Sequence, residues 1–78
     1  MNTLSTKEFI KYHDLFLFLQ NKISKNICWT VFDNHLGEHI YNKWLSSDGN
    51  ILVFLNRLDI QNRHKLLSYV ILIYSVDT

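Results

Sequence analysis

Apolar residues first recur at helical spacing at Phe9, Tyr12, Phe16, Leu19 and Ile23, in steps of three and four that put all five on one face. Ser5 and Glu8 stand just ahead of that stripe as an S-x-x-E capping box. Leu4 and Phe9 occupy the two positions of a hydrophobic staple. These signals predict a helix over about residues 6 to 23 with the stripe toward a core.

From 26 to 32 the pattern is ambiguous, because "ICWTVF" is β-branched and aromatic and suits a short strand as well as the first turns of a helix. Helix is the favoured reading. Asp33 can cap the stretch after it, and Leu36, Ile40 and Trp44 form an i, i+4, i+8 ridge ending near Leu45. "SSDGN" then breaks the chain. Ser47 or Asp48 can cap a short helix in which Ile51, Phe54, Leu55 and Leu58 share a face, and Asp59 ends it and can cap the next. The last helix, about 60 to 75, carries Ile60, Leu67, Val70, Ile71 and Tyr74 on its main face. The expected fold is therefore all-α, a compact bundle of about four helices. The alternative is α+β, with short strands near 27–32 and 69–75.

Size changes this picture little: 78 residues suit one domain spanning 1–78, and 47% hydrophobic with 14% aromatic residues is enough apolar material for a core. The net charge of +1 selects no polyelectrolyte partner. The single cysteine, Cys28, sits in an apolar stretch and reads as a buried small hydrophobe. No basic region followed by an apolar run opens the sequence, and "YVILIY" is far too short to span a bilayer, so a cytoplasmic protein without membrane contact is expected. The chain contains no Ala and no Pro, and it is rich in Asn, Ile, Lys, Leu, Phe and Tyr. That usage points to an A+T-rich gene, as in many microbes and their mobile elements.

"HLGEH", residues 35 to 39, has the H-x-x-E-H spelling of one class of zinc peptidases. His35 and His39, four apart on a helix, could share a zinc ion, and Glu38 could serve as general base. A third ligand is missing: no glutamate comes after Glu38, and only Asp48, Asp59, Asp77 and His64 lie downstream. Gly37 in the middle weakens the helix by about 1 kcal/mol, and a domain this small has little material for a substrate cleft. The plainer reading is the flank of the Leu36–Ile40–Trp44 helix, so no metal and no cofactor is expected, with His35 and His39 as weak candidates only. Ser68 and His64 share a face at i, i+4, a spacing that is usually accidental, and an enzyme is not expected.

"DIQNRHK" offers a second chemistry. In a helix-turn-helix, Gln61, Asn62, Arg63 and Lys65 would open the reading helix, with Arg57 adding charge, and would meet base edges and phosphates. Asp59 is almost the whole turn, shorter than such motifs use.

The third feature is surplus apolar surface. Phe18 projects among Lys7, Lys11, Asp14 and Lys22, opposite the core stripe, and Tyr69, Leu72 and Val76 have i, i+3, i+7 spacing away from Leu67 and Ile71. A helix apolar on two sides is either enclosed or touches another chain. The expectation is a non-enzymatic protein-binding module, contacting a partner or itself as a homo-oligomer through Phe18, Tyr69, Leu72 and Val76. A phage- or plasmid-encoded inhibitor of a host defence complex, anti-CRISPR-like and acting by steric contact, fits the small size and codon bias. A nucleic-acid-binding regulator is the alternative.

Overall fold

A computed structural model describes residues 4–77, with side-chain surroundings through Ser75. Its elements are α1 (Thr6–Gln20), α2 (Lys25–Phe32), α3 (Asn34–Leu45), α4 (Ile51–Arg57) and α5 (Ile60–Asp77), and no strand occurs among the described residues. The all-α expectation holds among the described residues, but with five helices there where about four were expected. Both stretches with strand-like composition are helical.

The fifth helix arises because 26 to 45 is not continuous. Ser24 accepts from the Ile27 N–H at 3.1 Å and starts α2. Asp33 then turns the backbone to φ 65°, ψ −174° while still donating its N–H to Trp29 and accepting from Gly37. One residue thus closes α2 and opens α3, although its side chain makes no capping hydrogen bond. The same Ser24 cap accounts for α1 ending at Gln20 rather than near 23, since the chain must leave the first helix to enter the second.

The start of α1 is as the sequence predicts. The Glu8 N–H donates to Ser5 Oγ at 3.1 Å, the Ser5 N–H donates to Glu8 Oε1 at 3.3 Å, and Leu4 and Phe9 both pack against the core. Neither Ser47 nor Asp48 caps α4. Asn50 does, its Oδ1 accepting from the N–H groups of Leu52 and Val53, because it is the residue immediately before the helix. Asp59 caps α5 as expected, accepting from the Asn62 N–H at 2.8 Å.

The core is built from Phe16 and Leu19 of α1, Cys28, Val31 and Phe32 of α2, Ile40 of α3, Ile51, Phe54 and Leu55 of α4, and Leu66, Leu67 and Val70 of α5, with Leu58 between α4 and α5. Trp44 meets Phe54 edge-to-face at 5.4 Å. α1 packs on both α4 and α5, and α2 packs on α3 and α5. Two main-face expectations fail here: Ile60 and Ile71 are exposed, and the inward face of α5 runs instead through Arg63, Leu66, Leu67 and Val70. Leu36 likewise lies outside, and Gly37 takes the inward place beside Ile40.

Candidate functional sites

The H-x-x-E-H stretch folds as the first turns of α3, with His35, Glu38 and His39 all exposed. Among the described residues no group of three or more His, Cys, Asp or Glu side chains gathers where it could hold a metal ion. The informative member is the glycine. A Cβ on Gly37 would lie 2.7 Å from the Cys28 carbonyl oxygen and 2.9 Å from the Trp29 Cα. Both are closer than carbon tolerates, so a bare Cα lets α3 lie directly on the α2 backbone. By helix propensity alone Gly37 is only a weak spot; in the fold it is the point of contact between two helices.

The residues considered for nucleic acid are dispersed in their roles. Arg63 is 1% exposed, its Nε–H donating at 3.0 Å to the Leu55 carbonyl inside the core. It belongs to the packing and is not open to a phosphate. Asn62 Nδ2 is held by Asp59 at 3.2 Å, Arg57 Nη1 donates to Ser46 Oγ at 2.7 Å, and the Lys65 ammonium lies 5.8 Å from the Phe32 ring centroid. Gln61 is exposed at the start of α5. Leu58 and Asp59 are the whole α4–α5 connection, so the three- or four-residue turn of a DNA-reading motif is not formed.

Of the residues considered for partner contact, Phe18 is half-buried and meets Tyr74 edge-to-face at 5.2 Å. α1 is covered on two sides, by α4 and by α5, and Phe18 faces the second of these. Tyr69 is half-buried against the core, Leu72 is 66% exposed, and the side chain of Val76 lies outside the described residues. Ile71 joins Leu72 at the surface with 39% exposure. Of the three whose side chains are described, only Leu72 is largely exposed, and α5 adds Ile71 to it.

His64 and Ser68 line a cleft of about 260 Å³ between α1 and α5 with Tyr12, Leu67 and Ile71. They share no hydrogen bond among the described residues, so the spacing does not mature into a nucleophile and its base. Cys28 is fully buried, and burial pushes its thiol up to about 11, away from nucleophilic chemistry at neutral pH. No described helix is long and apolar enough to cross a membrane. Compared with protein-family models, curated proteins and solved structures, the chain matches none.

Proposed function

We propose that this chain is a non-enzymatic protein-binding module that acts by steric contact, with the outer face of α5 as its contact surface. The observation that supports this reading is that α5 carries apolar side chains outside its buried face as well as on it: Leu66, Leu67 and Val70 are buried, while Leu72 at 66% and Ile71 at 39% are exposed and Ile73 is half-buried. A helix with one buried side ordinarily shows charge on the other, and two adjacent large apolar residues leave apolar area that a partner would remove from water. Inhibition of a larger host or defence complex is the role that suits a module of this size. Self-association is the simpler form of the same contact.

Immobilised protein is exposed to an extract of its native host, and retained proteins and nucleic acids are identified by mass spectrometry and sequencing. The reading expects a defined protein retained by the wild type and lost with Leu72→Asp, whose melting temperature stays close to wild type. Retention unaffected by Leu72→Asp, or retention of nucleic acid alone, overturns it. Light scattering of both proteins reports whether the partner is a second copy.

A further inference from the structure

The seam between α1 and the segment from Asp48 to Asn56 carries two adjoining clefts. The larger, about 460 Å³, has apolar walls from Phe9, Phe16 and Leu17 on one side and Ile51 and Leu52 on the other. The smaller, about 240 Å³, lies toward Leu4, Thr6 and Asn56. Phe9 and Leu52 line both, so the pair forms one groove with a divider. The larger volume falls in the range of ligand sites, and its lining combines apolar side chains with a few polar groups, the usual make-up of such sites.

Asp48 is the one carboxylate in that lining. Among the described residues its side chain makes no hydrogen bond or ion pair. Asp48 and Gly49 are successive left-handed residues, at φ 54° and 75°, so the chain turns sharply beside the larger cleft. The Gly49 N–H donates to nothing among the described residues, and beyond its chain neighbours no atom lies within 4 Å of a Cβ built there. The turn thus offers the Gly49 N–H beside an unpaired carboxylate, while the N–H groups of Asp48, Asn50 and Leu52 on that side, like the helical backbone opposite, are already bonded.

We infer that this seam binds an extended peptide segment of a partner, with two large apolar side chains in the two clefts and a lysine or arginine beside Asp48. Two compartments sharing a divider fit successive side chains of one chain better than a single small molecule, which would fill only the larger. An extended segment suits the open backbone at Gly49, and its same-side residues recur every second position. The carboxylate of Asp48 selects the cation. The groove is lined by α1, α4 and the 48–50 turn, not by α5, so it stands independently of the α5 contact.

The test is an amide-resolved NMR titration of the full chain with two capped peptides, Lys-Gly-Phe-Gly-Leu and its reverse Leu-Gly-Phe-Gly-Lys, which present the same side chains in opposite chain directions. The expected result is saturable shifts with at least one peptide, concentrated at Leu17 and Gly49 to Leu52. Asp48→Asn keeps a residue type that tolerates the left-handed conformation and should weaken binding about two- to fivefold, as should lysine-to-glutamate in the peptide, the range for one exposed charge pair. Replacing phenylalanine by glycine in the peptide should abolish the shifts. No saturable shift with either peptide, shifts centred elsewhere, or affinity indifferent to the charge at 48 overturns the proposal.

Discussion

The Nε–H of Arg63 donates to the backbone carbonyl of Leu55 across 3.0 Å, and the same carbonyl accepts from the Leu58 N–H at 3.2 Å. A side chain from α5 thereby satisfies the end of α4 inside the core. Arg63→Ala removes that donor and a fully buried volume together, so a loss of about 2–4 kcal/mol is expected in chemical denaturation. A surface arginine would change stability by no more than about 0.5 kcal/mol.

Gly37→Ala should destabilise by about 1–3 kcal/mol, because its Cβ would meet the Cys28 carbonyl and the Trp29 Cα, both of them backbone. Helix propensity alone predicts the opposite sign, a gain of about 1 kcal/mol. The denaturation midpoint decides between close packing and local preference.

Asp33→Gly is expected to stabilise by about 1 kcal/mol. The φ of 65° with ψ of −174° is a conformation that glycine adopts freely and other residues hold only under strain, and the Asp33 side chain contributes no capping hydrogen bond that would be lost. Asp33→Ala retains the strain and should show no such gain.

His35→Ala combined with His39→Ala should leave the melting temperature within the equivalent of about 0.5 kcal/mol, since both side chains are exposed and no third ligand gathers beside them among the described residues. Elemental analysis of purified wild type should find zinc well below one equivalent. Stoichiometric zinc, or a chelator-sensitive melting temperature, would contradict this.

The Cys28 thiol, raised from 9.0 to about 11 by burial, should be nearly inert to iodoacetamide at pH 8, with only about one molecule in a thousand as thiolate. Because the folded chain holds this proton more tightly than the unfolded one, the thiol contributes stability that is fully present below pH 9. That contribution is lost as pH climbs toward 11. Labelling rates that rise with denaturant, and a melting temperature that falls over that alkaline window, are the expected readings.

Local signals were the legible ones. The capping box at Ser5 and Glu8 and the staple of Leu4 and Phe9 act within one turn, and they place the start of α1 correctly. The face of α4 is equally clear, since Ile51, Phe54, Leu55 and Leu58 are all buried. α5 is harder, because a helix with apolar residues on more than one side leaves its buried face undecided until its neighbours are placed. Its pattern therefore puts Ile60 and Ile71 inward and passes over Leu66. Arg63 shares three- and four-residue spacing with Leu66, Leu67 and Val70, a signal that is present but masked by its charge. Gly37 carries a signal too, as a lone glycine inside a helix whose only rationale is close approach. The α1–α4 groove leaves no such trace, because its walls meet only after residues some forty positions apart are packed together.

The closeness of α2 and α3 also bears on how the chain finds its fold. These two helices pack on each other more extensively than any other pair, yet only Asp33 separates them in sequence. Joining them requires almost no loop closure. α1 and α5, which meet through Phe18 and Tyr74, must bring opposite ends of the chain together. Loop-closure entropy therefore predicts that the α2–α3 corner assembles early and that the α1–α5 contact forms later, which pulsed hydrogen exchange during refolding would check.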